Sequence, residues 1–584
     1  MKNLKAVDVV IAGGGWTGLA MAKEIVSRTS LKVRVLERGL PRKTSDYSVT
    51  MDELDYAIRL RMMQNIAEET ITHRHSPRET AAPVRQYGSF LPGAGTGGAG
   101  EHWMGMAWRF LPDQFTLRTH LTEKHGAKNL PEDLAVEDWG VTYDDLEKHY
   151  WYAERMMGVS GKAGNVRGKL IDGGNIFEGP REQEYPLPPL KQSYLTTMFD
   201  GAARRLGYHP FPIPAATISE AYTNPDGVSR AGCAYCGYCE RFGCMVGAKS
   251  QPTNTLMPVL ARHKNFEIQN GAWVRRVVHE NGRATGVHFM DANGEDCFQP
   301  AEIVVLGSWT LNNVRLLYLS KIGTPYDPET RRGTLGRNLT HQVNGGGARM
   351  FFDKPLNLFM GSGALGLRFC DFDGSEGFKE GDGILRGGSV GLGTAGNRPI
   401  ASFGNFPEDA TRARWGSEWK KASLEWRDRG AAVGLSGEHL AYRQNYMDLD
   451  PTYADKYGDP LLRFTLDWTP HEFRVRDYFS QLAVKVAKEM GAKVDPVRPA
   501  SGRYNTISYQ STHIQGGVIM GASPEKSVLN TYLQHWDVPN LFVVGASAFP
   551  QNASMNPTLT VLAVTYRAAD ALIGRYLKNP GRLA

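Results

Sequence analysis

No stretch of this 584-residue chain comes near the ~20 consecutive apolar residues that crossing a bilayer requires, so no membrane-spanning helix is expected. Cysteine is scarce. There are six, and Cys297 and Cys370 stand far from each other and from the rest, which argues against a disulfide framework. Charge of one sign is lacking too: a net +6 spread over the whole length makes no case for nucleic acid as a partner. Internal repeats and low-complexity tracts are absent, which sets aside solenoids and disordered arrays. The opening MKNLKAVDVVIAGGG has neither a separate apolar segment nor a small-residue cleavage site, and taken alone it reads as cytoplasmic.

What is present is enough for a large soluble protein of two or more domains: 41% hydrophobic and 22% charged residues, with 65 glycines for tight turns and close backbone approach. The other four cysteines, Cys233, Cys236, Cys239 and Cys244, fall within CAYCGYCERFGC. Thiolates spaced C-x2-C-x2-C-x4-C usually share one object. Zinc favours two separated knuckles, and this compressed run lies closer to the bacterial ferredoxin pattern, in which a 4Fe-4S cluster uses all four. Tyr235, Tyr238 and Phe242 would shield such a centre from water. Free thiols packed this closely would be prone to oxidation.

The chain also opens with a nucleotide fingerprint. Gly13-Gly-Gly15-Trp-Thr-Gly18 follows a short apolar strand and precedes a helix running to about Val26; the next strand, Val33–Glu37, ends on an acid. The glycines permit a tight turn and a close pyrophosphate, the helix N-terminus stabilises phosphate, and Glu37 can bond a ribose hydroxyl. The motif fits FAD or NAD and does not choose between them. Further along, 46–85 reads as mostly helical and charged, 142–157 as a helix, 163–192 as a Gly/Pro-rich excursion, 301–306 as a buried strand and 557–577 as a strong helix. Between about 340 and 500 the pattern turns to short strands, Gly-rich loops and tryptophans. The expectation is a nucleotide-binding domain assembled from separated segments with a more antiparallel domain inserted. Trp415, Trp419, Trp426 and Trp468 are either a sugar-stacking surface or packing, packing being commoner. His341, His439 and His471 lack ligand spacing and read as structural.

The fingerprint, GAGTGGAGEHW (93–103), VVLGSWTLNNVRLLYLSKIG (304–323), LGRNLTHQ (335–342), STHIQGGVIMG (511–521) and GASAFPQNASMNPTLTVLA (545–563) resemble, in order and over nearly the whole length, the glucose–methanol–choline (GMC) flavoprotein oxidoreductases. More narrowly, YCGYCE (235–240), DLDPTYADKYGDPLLRFTLDW (448–468) and SVLNTYLQHWDVPNLFVVGASAFPQ (527–551) resemble the flavoprotein subunits of gluconate 2-dehydrogenases and their glucoside 3-dehydrogenase relatives. The resemblance implies an α/β fold, a Rossmann-like FAD-binding domain with an inserted antiparallel-sheet substrate domain. FAD-binding segments would be 1–110, 251–338 and 506–584, with an excursion over 111–232, the cysteine segment at 233–250 and the substrate domain at 339–505.

It implies FAD, contacted by Gly13, Gly15, Gly18, Glu37, Gly97, Gly98, His102, Trp103, Ala546 and Pro557. His102 either bonds covalently to the flavin or only packs on it. His513 would be the general base and Asn556 the group that orients a substrate hydroxyl. For the cysteines the resemblance favours a 3Fe-4S cluster on Cys239, Cys244 and one of Cys233 and Cys236, with 4Fe-4S the alternative. The relatives' cysteine spacing differs from this one. The implied activity is oxidation of a secondary hydroxyl of a sugar, glycoside or sugar acid to a ketone. The alternatives are an oxygen-using oxidase and a non-catalytic electron-transfer flavoprotein. The implied partners are a small twin-arginine-exported subunit and a multihaem cytochrome c, with the assembly on the periplasmic side of the inner membrane and this chain meeting the membrane only through a partner.

Overall fold

The computed structural model describes residues 1–48, 50–55, 59–85, 92–358, 361–374, 378, 382–394, 400–500, 502–509 and 511–583. Its central sheet is built from three distant parts of the chain. Strands Phe266–Asn270, Val33–Glu37, Val7–Ala12 and Asp296–Leu306 pair in parallel in that order, and Leu541–Val543 lies parallel to the last of them. A strand buried on both faces is expected to be continuously apolar. Val9–Ala12 and Val304–Leu306 satisfy this with no exposed surface at all. Two hairpin strands extend the sheet: Arg283–Met290 pairs antiparallel with Asp296–Leu306, and Trp273–Glu280 antiparallel with Arg283–Met290. Their turn places Asn281 and Gly282 at φ 49° and 74°, the left-handed pair that the Asn-Gly sequence favours. Helix Trp16–Arg28 packs on this sheet, and helix Thr558–Ala571 packs beside it.

The inserted part is a six-stranded sheet in the order Lys493–Val494, Gly347–Phe351, Gly430–Gly437, Gly388–Gly393, Gly366–Phe369, Phe211–Pro212, antiparallel throughout. Register separates its two faces. Leu367, Phe369, Val390, Leu392, Val433 and Leu435 alternate onto one face, which packs under helices Pro470–Glu489 and Tyr194–Arg205; Phe369 stacks on Phe199 and Tyr208. The opposite face carries Arg368, Ser389, Gly391, Gly434 and Ser436. It turns toward the C-terminal segment, where the Ser436 hydroxyl donates to Ser554 O at 2.7 Å.

One sequence reading does not hold. Among the described residues of 46–85 there is no long helix: Ile71–Arg74 is a strand beside Pro460–Thr465, and Ala82–Pro83 pairs with it. The acids and bases of this segment and its neighbours serve ion pairs, such as Glu69 between Arg38 and Arg315, rather than a solvated helix face. The four tryptophans form no common surface either. Trp468 is buried against Tyr509, Trp426 packs on Phe351, Trp419 packs on Phe406, and Trp415 is 85% exposed.

Candidate active site

A cavity of about 390 Å³ runs from the end of strand Val33–Glu37 to the start of helix Thr558–Ala571. Its first half is the glycine turn, where three glycines do three different things. Gly13 sits at φ 103°, and a Cβ there would lie 2.5 Å from Gly307 O. A Cβ on Gly18 would lie 2.0 Å from Gly13 O, so this glycine lets the helix close onto the strand without facing the cavity. Gly15 is different: a Cβ there would meet only Gly97 O, at 3.9 Å, so the missing side chain leaves open space inside the cavity. That is the cradle a pyrophosphate needs beside a helix N-terminus. Glu37 lines the same end and accepts hydrogen bonds from Gly14 N, Gly39 N and Gly95 N at 2.8–2.9 Å. The cradle at Gly15, the helix N-terminus beside it and the Glu37 carboxylate fit a dinucleotide.

The second glycine loop docks on the first. Gly97 N donates to Gly14 O at 2.7 Å, and Gly98, His102 and Trp103 line the cavity; Gly97 itself, at φ 92°, supports the turn from behind. Glu101 anchors the loop from below. Its buried carboxylate accepts from Tyr47 Oη, Gln251 Nε2 and Thr253 Oγ1 at 2.7–2.8 Å. Burial holds the His102 imidazole down to about 3, with the positive charges of Lys249, Arg42 and Arg241 adding to the effect, so it is neutral.

At the far end His513 and Asn556 face each other, Asn556 Nδ2 donating to His513 Nε2 at 3.2 Å. The other side of the ring is fixed by a residue that sequence reasoning did not single out, although it closes the LGRNLTHQ segment. Gln342 Nε2 donates to Ser554 O at 2.6 Å and Ala553 O at 3.3 Å, which turns its Oε1 toward His513 Nδ1. Nδ1 must then carry the proton, and the Nε2 lone pair accepts from Asn556 Nδ2, both groups lying in the cavity wall. Burial, with a smaller contribution from the charge of Arg368, holds His513 down to about 4, so the ring is an unprotonated acceptor at neutral pH. Ala546 and Pro557 line the same end, and Pro557 precedes the first turn of a helix with no side-chain cap, leaving its amides for a ligand.

Gln342→Leu removes the acceptor that selects the tautomer. A fall of about 10- to 100-fold in kcat with KM little changed is expected from steady-state kinetics. Gln342→Glu keeps the acceptor but adds a negative charge, and the acid limb of its pH–rate profile is expected to move upward. If both variants match wild type, Gln342 does not position the ring.

The cysteine segment borders this cavity. Glu240 and Arg241, between Cys239 and Cys244, are part of its lining, and Arg241 N donates to His102 O at 2.7 Å. Lys249, also missed from sequence, is fully buried; its ammonium donates to Trp103 O, Cys239 O and Phe242 O at 2.8 Å and to Glu101 O at 3.2 Å. One buried cation thus ties the His102 loop to the cysteine loop. Among the described residues no three Cys, His, Asp or Glu side chains form a group that could hold a metal ion, so the four thiols are not drawn into a ligand set. Cys233 Sγ accepts from Tyr235 N at 3.3 Å and Cys244 Sγ from Lys249 N at 3.5 Å, while Cys239 Sγ lies 3.8 Å from Ser362 Oγ. Burial pushes the Cys233 thiol up to about 12, with the nearby Cys239 and Cys244 contributing.

Residues 441–565 match the GMC oxidoreductase family in its C-terminal region. The whole chain is 40% identical to the gluconate 2-dehydrogenase flavoprotein of Pantoea cypripedii, covering 96% of that protein. The chain belongs to the GMC oxidoreductase family. It is 25% identical to the fructose dehydrogenase large subunit of Gluconobacter japonicus, over 97% of this chain and 98% of that one. Among solved structures, pyridoxine 4-oxidase from Mesorbium loti shares the fold, with a TM-score of 0.59 at 16% identity over 96% of this chain and 98% of that one. As a GMC oxidoreductase with dehydrogenase relatives, the protein is an FAD-dependent oxidoreductase acting on CH–OH groups, and the cradle at Gly15 with Glu37 is where the dinucleotide fits.

Proposed function

We propose that this protein is a dehydrogenase that oxidises a secondary hydroxyl of a sugar, glycoside or sugar acid to a ketone, of the gluconate 2-dehydrogenase or glucoside 3-dehydrogenase type. The observation that carries the reading is the lone pair of His513 Nε2, held against Asn556 in the cavity wall by the Gln342–Nδ1 contact. FAD, when bound, supplies the acceptor for the two electrons and hydrogen that leave carbon. The chain supplies the rest. His513 Nε2 takes the hydroxyl proton, Asn556 holds the hydroxyl oxygen, and the low basicity of the buried ring keeps it unprotonated and ready at neutral pH. The gluconate 2-dehydrogenase relative, similar over its full length, supports a sugar acid as the substrate.

We propose further that three of Cys233, Cys236, Cys239 and Cys244 hold an iron–sulfur cluster, 3Fe-4S in preference to 4Fe-4S, as the exit to a cytochrome c subunit. The spacing of the cysteines, their position against the His102 loop and the backbone N–H groups aimed at Cys233 and Cys244 support this. A small exported subunit and a periplasmic, membrane-associated location belong to the same reading; the relative named as a large subunit supports a multisubunit enzyme.

The test is a panel of aldonates, sugars and glycosides with an artificial electron acceptor, with the ketone located by NMR, alongside iron, acid-labile sulfide and electron paramagnetic resonance on the purified protein. Turnover with the acceptor, little hydrogen peroxide, and about three irons per chain are expected. Rapid peroxide production by protein containing no iron would point instead to an oxygen-using oxidase.

A further inference from the structure

The inward face of the substrate-domain sheet holds a cation, Arg368, that makes no ion pair among the described residues. Arg368 is 9% exposed, and its one hydrogen bond among the described residues runs from Nη1 to Ser389 Oγ at 2.8 Å. Its Nε is buried without a partner, and no described carboxylate forms an ion pair with it. The guanidinium lies over the Trp108 ring, 5.7 Å from its centroid, two residues along from Met106 in the cavity wall. Removing a cation from water without a counter-charge costs several kcal/mol. Three other buried arginines avoid that cost with carboxylates: Arg386 has Glu438 and Asp113, and Arg109 and Arg181 share Glu154; Arg230, like Arg368, has no described ion pair and donates to Ser250 Oγ and Met157 O. The carboxyl whose charge Arg368 feels, Asp373, is already engaged, accepting from Ser554 Oγ at 2.7 Å and Gly374 N at 3.0 Å. Burial also raises the pKa of that carboxyl, which weakens it as a counter-ion.

The neighbouring positions on the same face are Gly391 and Gly434: a Cβ on Gly391 would lie 2.9 Å from Arg368 Nε, so that glycine makes room for the guanidinium itself, and a Cβ on Gly434 would meet only Gly391 O, at 3.9 Å. The same face reaches the catalytic segment through Ser436 and Ser554. Arg368 is also the charged group whose field His513 feels. A planar guanidinium with Nε free matches the two oxygens of a carboxylate.

We propose that Arg368 recognises the carboxylate of the substrate and makes the enzyme selective for a sugar acid over its neutral counterpart. This rests on the reading of the cavity as a sugar-oxidising site. In it, one small molecule spans the two groups, its carboxylate on Arg368 and the hydroxyl to be oxidised at His513.

The test compares D-gluconate with D-gluconamide, which has the same carbons and hydroxyls but no charge, using the holoenzyme and an artificial acceptor. Wild type is expected to favour the acid in kcat/KM. In Arg368→Gln that ratio is expected to fall about 100-fold, the size of effect seen when one partner of a buried charge pair is removed. Arg368→Lys, which keeps the charge but not the fork, is expected to fall between the two. A second readout is the acid limb of the pH–rate profile, which moves upward in Arg368→Gln because a positive charge near His513 is gone.

Equal losses on acid and amide in Arg368→Gln would overturn the proposal and make Arg368 a general electrostatic element. Wild type that oxidises the amide as well as the acid overturns it without any variant, so a misfolded substitution does not shield it. If wild type oxidises neither compound nor any other polyol, the sugar-dehydrogenase reading itself fails, which is a separate result.

Discussion

Replacing His513 with alanine is expected to lower kcat by about 10³-fold, with FAD content and the melting temperature close to wild type. The size follows from what the ring does. Its Nε2 is the acceptor held against Asn556 at this end of the cavity. The pH dependence has a definite sign. With the ring held down to about 4, Nε2 stays unprotonated from pH 8 down to about 5, and loss of the base itself sets in only as pH drops toward 4. A histidine of ordinary basicity would begin to lose activity below pH 7. Stopped-flow measurement of flavin reduction separates this step from reoxidation. An alanine variant that reduces its flavin within a few-fold of the wild-type rate removes His513 from the role of base. An acid limb near 6.5 would mean that the burial of the ring does not set its basicity.

The parts of this site that the sequence made legible are those that carry a local signature. Gly13, Gly15, Gly18 and Glu37 mark themselves because a turn, a cradle and a ribose partner need those residue types at those intervals; Gly13, Gly15 and Glu37 line one end of the cavity, and Gly18 lets the helix close behind them. His513 and Asn556 were found only through the family resemblance, since a single histidine has no pattern of its own; they lie 43 residues apart and are brought together by the fold. Gln342, Lys249 and Arg368 were not assigned. Each acts through partners far away in the chain: Gln342 through Ser554, Lys249 through Glu101 and Trp103, and Arg368 through the register of three strands. Nothing in their immediate neighbours distinguishes a buried cation from a surface one. The same limit explains the misread segment at 46–85, whose charges sit at helix-like intervals but are consumed by ion pairs to Arg38 and Arg315 from other elements. The cysteine run lies between these cases. Its spacing is plain in the sequence, while its sulfurs stay separate among the described residues.

Acidification is expected to unfold this protein over a narrow range, because several histidines are held neutral where they cannot easily accept a proton. His341, His439 and His535 have at most 1% of their surface exposed. Burial holds them down to about 3, about 4 and about 4 respectively, and for His341 the neighbouring His439 adds to the effect. Their hydrogen bonds agree with the neutral form. His535 Nδ1 accepts from Asp537 N at 3.1 Å and Val538 N at 3.2 Å, and His439 Nδ1 accepts from His341 N at 3.2 Å, so a proton on either nitrogen would face an N–H. In the unfolded chain the same rings titrate near ~6.5. Between about pH 6.5 and 4 the unfolded state therefore binds more protons than the folded one, and stability falls as pH falls. Each ring contributes a slope of about 1.4 kcal/mol per pH unit, and the three together about 4. Glu438 acts in the opposite direction. Burial raises it to about 7, so its contribution is present at low pH and lost as pH rises through that value, which offsets about one of the three rings across the same window. Burial also raises Glu101, Glu178 and Asp373, which act with Glu438, and it holds down His102 and His513, which act with the three rings. Denaturant titrations at pH 7.5, 6.0 and 5.0, followed by near-ultraviolet circular dichroism, measure the slope directly. The midpoint is expected to drop steeply below pH 6. His535→Gln, which keeps a side-chain acceptor without the titration, is expected to make that drop shallower by about 1.4 kcal/mol per pH unit. A stability independent of pH from 7.5 to 5.0 would show that these rings carry their protons in the folded protein.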